Sequence, residues 1–192
     1  MDYLVYNTSE LPPESMDLRL LDEADAAAAA ARGERFALVR SVLRRELARR
    51  TGIDAPLIHF TYNQHGKPDC EHQNFNLSHS GNCLCMAFHH APVGVDVERI
   101  RQRDFARLAP RFMCPEQLEG FLSRHCPMDE FYICWCVAEA LVKHAGSTMW
   151  YARNFPFIFE NETIQCLFDS APHIQIFTPM PGYQGAVAFS PA

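Results

Sequence analysis

The chain has 192 residues, 48% of them apolar, and a formal net charge of -6 at pH 7. That apolar share supports a folded core, in one large domain or two small ones, and argues against disorder. The negative balance argues against a general nucleic-acid binder, whose affinity rests on dense Lys and Arg neutralising phosphates.

The charge is uneven. Arginines crowd residues 32–50 and again 99–111, a distribution that suits a small polyanion or an acidic protein partner. The segment Met1–Tyr6 lacks the basic start and long apolar core of a secretory signal, and no apolar run reaches the length of a membrane span. The eight cysteines are therefore read as reduced, mostly buried thiols of a cytoplasmic protein.

In chain order, residues 3–6 read as a short edge strand and Asn7–Glu14 as turns. The run Ala26–Ala31 has the highest helix propensity available. Phe36, Val39, Leu43 and Leu47 then recur at helical spacing, with arginines on what reads as a solvated face and Gly52 as the stop. Leu57–Tyr62 predicts a strand and Gln64–Pro68 a turn. The apolar run Cys83–Phe88 and Val93–Val97 predict neighbouring strands joined by a turn at His89–Pro92.

Phe105–Phe112 and Glu116–Leu122 predict short helices, with Pro115 suited to a first helical position. Met128–His144 predicts a longer helix ending near Gly146, and Phe155–Phe189 alternates apolar runs with Pro and Gly turns, as strands do. The fold class is α+β. Each half mixes helix and strand, and the boundary near Pro92 divides the chain into an N-terminal half, 1–91, and a C-terminal half, 92–192.

Chemistry concentrates in a few short stretches. In Gly94-Val95-Asp96-Val97-Glu98, residues two apart share a strand face, so Asp96 and Glu98 project side by side. Carboxylates of an edge strand that face water, or pair with Arg99 or Arg101, explain the pattern equally well. Farther on, Glu139 and Lys143 share a helix face with Trp135. Such pairs are ordinarily surface ion pairs worth about 0.2–0.5 kcal/mol. This helix is apolar from Phe131 to Val142, so a charged pair on it demands more explanation.

Three carboxylates and a lysine at one point suit a divalent metal gripping phosphates. Ser78-His79-Ser80-Gly81 reads as a polar turn or as an anion cradle to which His79 adds a bond. A Ser–His hydrolase is a weak rival, since no nucleophile-elbow sequence is present. The C-x-C spacing of Cys83/Cys85 and Cys134/Cys136 makes zinc a weak reading too. In Arg101–Arg111, basic residues interleave with Phe105, Leu108, Phe112 and Met113, a composition expected for docking an acidic helix.

Together these motifs resemble the Sfp-type 4'-phosphopantetheinyl transferases, whose signature is a Gly-(Ile/Val)-Asp-(Ile/Val)-Glu strand followed by a Trp-x-x-Lys-Glu-Ala-x-x-Lys helix. Gly94–Glu98 matches the first, and Trp135, Glu139, Ala140 and Lys143 match the second. Upstream, Gly66-Lys67-Pro68 and Asn76-Leu77-Ser78-His79-Ser80 match two further family motifs, in the family's order, across roughly residues 32–146.

The resemblance implies two similar α+β halves with the active site between them. It implies a monomeric enzyme that moves the phosphopantetheine arm of coenzyme A onto a serine of an apo acyl or peptidyl carrier protein. By the same resemblance, Asp96, Glu98 and Glu139 hold Mg²⁺, and Glu139 takes the serine proton, directly or through water. Lys143 and His79 contact phosphates, Ser78 lines the coenzyme A site, and Lys67 lies near the nucleotide. Arg32 and Arg40 stand for the basic residues near the 3'-phosphate, and Arg103, Arg107, Arg111 and Phe112 are the expected docking residues for the acidic carrier.

The chain departs from the pattern in places. Ala138 replaces the lysine before the helix glutamate, Cys136 stands where Ser or Thr is common, and Gly146-Ser147-Thr148-Met149 replaces Gly-x-Gly-Leu. The missing cation at 138 motivates an alternative: a catalytically silent homologue that binds coenzyme A or carrier protein without transfer.

Overall fold

The computed structural model describes residues 1–191. The N-terminal half contains β1 (Asp2–Asn7), α1 (Glu23–Arg32), α2 (Glu34–Thr51), β2 (Thr61–Tyr62), β3 (Pro68–Asp69), β4 (Asn74–Ser80) and β5 (Cys83–His89). The C-terminal half contains β6 (Val93–Arg99), α3 (Phe105–Leu108), α4 (Pro115–Ser123), α5 (Met128–His144), β7 (Phe157–Glu160), β8 (Thr163–Cys166), β9 (His173–Phe177) and β10 (Tyr183–Phe189).

Two antiparallel three-stranded sheets, ordered β1-β5-β4 and β6-β10-β9, each draw only on their own side of Pro92. Each carries one long helix. On β5, Leu84, Met86 and Phe88 pack with Val42, Leu43 and Leu47 of α2. Its alternate residues Cys83, Cys85 and Ala87 face Val93, Val95 and Val97 of β6 and Val187 of β10. Across the second sheet, Ala186 and Ala188 pack with Val137, Ala140 and Leu141 of α5. The layers run helix, sheet, sheet, helix, as the strand period of two dictates when both faces of a sheet are covered.

The helix boundaries follow local chemistry. Asp22 caps α1 by accepting from the Asp25 N–H, and Gly33 (φ 87) separates α1 from α2. Gly52 ends α2 in the left-handed region (φ 73), and Pro115 opens α4.

Two expectations about the strands need correcting. β5 and β6 are not ladder neighbours, because both edges of β5 are already taken by β1 and β4. The chain therefore crosses at His89–Pro92 into the second sheet. Leu57–Tyr62 is also not one strand: Ala55–Leu57 forms a 3-10 turn, and only Thr61–Tyr62 pairs, with Pro68–Asp69. The cause is Arg44, whose Nη1 donates to the carbonyls of Ala55 (2.7 Å) and Ile58 (2.8 Å).

Arg44 is fully buried, and Arg40 nearly so, which overturns the reading of the α2 arginines as a uniformly solvated face. Arg44 Nε lies 2.7 Å and Arg40 Nε 3.4 Å from the buried Asp25 of α1. Asp22 adds a second carboxylate 2.5 Å from Arg44. A buried charge whose partner is removed stays desolvated and unpaired. Arg44→Met is expected to cost about 3–5 kcal/mol of unfolding free energy in urea titration. Arg49→Met, which breaks only the exposed pair with Glu46, is expected to cost less than about 1 kcal/mol.

Candidate active site

On β6, alternation sends Val93, Val95 and Val97 into the core between the sheets and Gly94, Asp96 and Glu98 to the opposite face, towards α5. Gly94 is where the helix comes closest. A Cβ there would fall onto the backbone of Ala140 and His144, so only glycine lets α5 ride directly on the strand. On α5, the partly exposed residues Trp135, Glu139 and Lys143 are four apart and form one line along an otherwise buried helix.

Asp96, 4% exposed, meets this line. Its Oδ1 accepts from Lys143 Nζ (2.7 Å) and from the Ser78 hydroxyl (2.8 Å), while its Oδ2 is buried without a partner. Glu98 accepts from the Ser80 hydroxyl (2.8 Å), with Arg103 3.9 Å away. Glu139 lies 4.0 Å from Lys143 Nζ. Burial pushes the Glu139 carboxyl up to about 7; Lys143 opposes the rise, and the negative charges of Asp96 and Glu98 reinforce it. Burial alone would lower Lys143, but Asp96 and Glu139 outweigh it and hold the ammonium above its ordinary value.

The other edge of β6 runs beside β4 and is stitched by side chains. Asn76 Oδ1 accepts from the Val95 N–H (2.8 Å), and the Ser80 hydroxyl accepts from the Arg99 N–H (3.1 Å). Lys143 Nζ donates to the Val95 carbonyl (3.3 Å), and Lys67 Nζ to that of Val93 (3.2 Å). Alternation thus divides Asn76–Ser80 into two faces. Asn76, Ser78 and Ser80 turn to β6, while Leu77 and His79 border the cleft beside α2. Ser78 sits behind the site, bonded to Asp96, and is not on the cleft wall. His79 is held below its ordinary pKa by burial, then by Arg35, both of which disfavour the imidazolium.

The cleft itself, about 1030 Å³, lies between residues of the two halves. Arg32, Arg35, Arg40 and Lys143 give it a cationic wall, with Glu139 at one side, while the Lys67 ammonium at its border is turned to backbone carbonyls. Arg32 stacks over Phe36 at 4.4 Å. Arg40 donates from Nη2 to the Tyr62 hydroxyl (2.9 Å), and its buried Nη1 has no partner among the described residues. Asp96 lies behind Lys143, not on the wall. Arg35, Tyr62 and Trp150 also border the cleft and were not singled out from the sequence. Trp150 is 94% exposed, an arrangement no local pattern announces.

Among the described residues, no three His, Cys, Asp or Glu side chains close on one point as a complete metal site. Asp96, Glu98 and Glu139 are all oxygen donors that do not converge in this arrangement, and Asp96 Oδ2 has no partner among the described residues. An oxygen-only set of this kind fits a hard cation such as Mg²⁺, which keeps several waters and takes substrate phosphate. The cysteines offer no such set. All eight are free thiols. Burial pushes Cys83 up to about 11 and raises Cys85, Cys134 and Cys136 as well, against the thiolate form a soft metal needs.

Two further residues are placed by the fold. Phe112, expected at a docking surface, is 2% exposed and packs edge-on against Trp135 (5.3 Å) and Phe131 (5.7 Å), because the apolar residues of this amphipathic segment complete the core. Arg107 and Arg111 remain exposed, and Arg103 turns towards Glu98. Ala138 is buried in the core under α5, off the cleft side of the helix. No helix among the described residues is long and apolar enough to cross a membrane.

Comparison with known proteins gives the same part of the chain. The profile of the 4'-phosphopantetheinyl transferase superfamily matches residues 92–187, half of the chain. The 4'-phosphopantetheinyl transferase Sfp of Bacillus subtilis (strain 168) is 32% identical over 114 residues, 57% of this chain and 49% of the relative. The 4'-phosphopantetheinyl transferase ffp of Bacillus subtilis is 32% identical over the same shares. HetI of Nostoc sp. (strain PCC 7120 / SAG 25.82 / UTEX 2576), another 4'-phosphopantetheinyl transferase, is 33% identical over 124 residues, 58% of this chain and 52% of the relative. The chain spans about half the length of the curated relatives it matches. From β6 through α5 to β10, the segment that carries Asp96, Glu98, Glu139 and Lys143 is the segment the profile matches, and the chain belongs to the 4'-phosphopantetheinyl transferase superfamily.

Proposed function

We propose that this chain transfers the 4'-phosphopantetheine group of coenzyme A to a serine of an apo acyl or peptidyl carrier protein. The products are holo carrier protein and adenosine 3',5'-bisphosphate. One observation carries the reading: Glu139 and Lys143 stand on the wall of a cation-lined cleft between the halves, with Asp96 bonded directly behind Lys143. A small polyphosphate fits that charge pattern better than any other ligand class.

In the reaction the serine oxygen bonds to phosphorus as the bridging bond of the diphosphate breaks. The adenosine 3',5'-bisphosphate leaves with that electron pair, and the serine proton goes to a base. Glu139 is the base, directly or through water, since it borders the cleft beside Lys143; without metal, burial lifts its carboxyl to about 7. Lys143 neutralises charge on the diphosphate, and Arg32, Arg35, Arg40 and His79 orient the phosphates along the cleft. Asp96, Glu98 and Glu139 would hold Mg²⁺ against the diphosphate, where it would supply Lewis-acid neutralisation of the developing charge. A monomer suffices for the reaction, since both walls of the cleft come from one chain.

The silent-homologue alternative rested on Ala138. That position is buried in the core, so the cations of the cleft wall do not depend on it, which favours the active enzyme.

Incubated with coenzyme A, Mg²⁺ and apo carrier proteins, the protein is expected to add one phosphopantetheine, read by intact-mass spectrometry and abolished by EDTA. Asp96→Ala and Glu139→Ala are each expected to slow the transfer at least about a hundredfold, with circular dichroism unchanged. Wild-type rates in either variant would remove these carboxylates from the reaction. No gain on any carrier, from folded protein, would turn the assignment to the silent binder.

The buried acid also has a signature in stability. The folded pKa of Glu139 (about 7) exceeds its ordinary 4.5, so its contribution to stability is present below the lower value and is lost as pH rises through the higher. Glu139→Gln removes that loss. With EDTA present, its urea midpoint relative to wild type is expected to be more favourable at pH 8 than at pH 5. An equal difference at both pH values would show an unshifted acid.

For the carrier, Arg107→Glu and Arg111→Glu are expected to raise its KM severalfold at low ionic strength, with the effect fading in salt. A KM indifferent to both reversals would place the docking surface elsewhere.

A further inference from the structure

The loop between β2 and β3 does more than border the cleft. Asn63 folds it into a rigid turn, with its Oδ1 accepting from the N–H groups of His65 (2.9 Å) and Lys67 (3.0 Å). Its backbone closes the same turn. Asn63 N–H donates to the Lys67 carbonyl (3.1 Å), and Gly66, at φ +78, donates to the Asn63 carbonyl (2.9 Å). From this turn two donors reach across the cleft to the other half. Asn63 Nδ2 donates to the Gly146 carbonyl (3.0 Å). Lys67 Nζ donates to the Lys143 carbonyl (2.6 Å) and to the Val93 carbonyl (3.2 Å).

The targets are specific. The Lys143 carbonyl lies in the last turn of α5, where it also accepts from the Gly146 N–H (3.2 Å) and where the helix dipole favours a cation. The Gly146 carbonyl lies just beyond it, and Val93 begins β6. Those two elements carry Asp96, Glu98, Glu139 and Lys143. Lys67 therefore uses two of its three N–H bonds on main chain at the ends of the two elements that build the site.

We propose that Asn63 and Lys67 form a latch that holds the C-terminal turn of α5 and the start of β6 against the N-terminal half, and so act as positioning residues for Glu139 and Lys143. Lys67 thereby works through backbone across the cleft, which differs from the nucleotide contact that its motif implied. Asn63 enters as a residue of the same device.

The kinetic arm of the test rests on the transferase reading above; the exchange arm does not. Lys67→Met keeps the aliphatic stem and removes the donor. It is expected to speed hydrogen exchange at the amides of residues 145–147 about tenfold, while β10 amides stay unchanged. In the transfer assay it is expected to lower kcat about tenfold with the KM for coenzyme A unchanged, and Lys67→Arg to restore part of the loss. Asn63→Asp keeps the Oδ1 acceptor of the turn but sets a carboxylate oxygen against the Gly146 carbonyl in place of the Nδ2 donor, so it gives a change in the same direction even if Lys67→Met fails to fold. Unchanged exchange at residues 145–147 in these variants would overturn the latch. So would a raised KM for coenzyme A with kcat intact, which would make Lys67 a ligand contact. A wild-type protein that transfers nothing would sink the transferase reading alone, and exchange would still decide the latch.

Discussion

The strand β6 has one edge paired and one edge unpaired, and the site is built from the way the unpaired edge is satisfied. Buried backbone N–H and C=O groups need partners. Along the edge facing β10 a backbone ladder supplies them. Along the edge facing β4, side chains take over: Asn76 and Ser80 accept from N–H groups, and Lys143 and Lys67 donate to carbonyls. A continuous sheet would have joined the two halves through backbone alone. The side-chain seam instead puts polar groups in the middle of the molecule, where Asp96 is buried yet still finds a hydroxyl and an ammonium.

That arrangement is costly in the unliganded protein. Desolvating Asp96, Glu139 and Lys143 works against folding, and only good mutual geometry offsets it. The geometry is incomplete: Asp96 Oδ2 has no partner, and Glu139 stands 4.0 Å from the nearest ammonium. A site finished by its ligands leaves such groups unsatisfied beforehand, trading stability for function. The opposite wall is treated differently. Asp25 pairs with both Arg40, which borders the cleft, and the buried Arg44, so the Arg40 charge is anchored to α1. Rigid cations on one wall and underused carboxylates near the other suit a polyanion lying between them.

Much of this was legible in one dimension because the relevant periods are local. A strand period of two placed Asp96 and Glu98 on one face, and a helix period aligned Trp135, Glu139 and Lys143. Burial of Arg40 and Arg44 was not legible. Their spacing on α2 resembles any charged helix face, and the carboxylate that receives them belongs to another helix. Phe112 failed as a surface residue for the converse reason: it looks like an exposed aromatic beside arginines until Phe131 and Trp135 of α5 close over it. Ser78 and His79 are adjacent in sequence, so the strand sends them to opposite faces, one to Asp96 and one to the cleft.

The sequence by itself determined the α+β class, most of the helices and their stops, and which carboxylates and lysine share a face, because propensity, capping and periodicity act over a few neighbouring residues. Only the tertiary structure decided that β5 and β6 part into separate sheets, that Gly94 admits the backbone of α5, and that Lys67 and Asn63 reach across to its end. Those outcomes depend on which edges are already occupied and which carbonyls can still accept a bond. Such facts exist only once distant segments compete for the same hydrogen bonds.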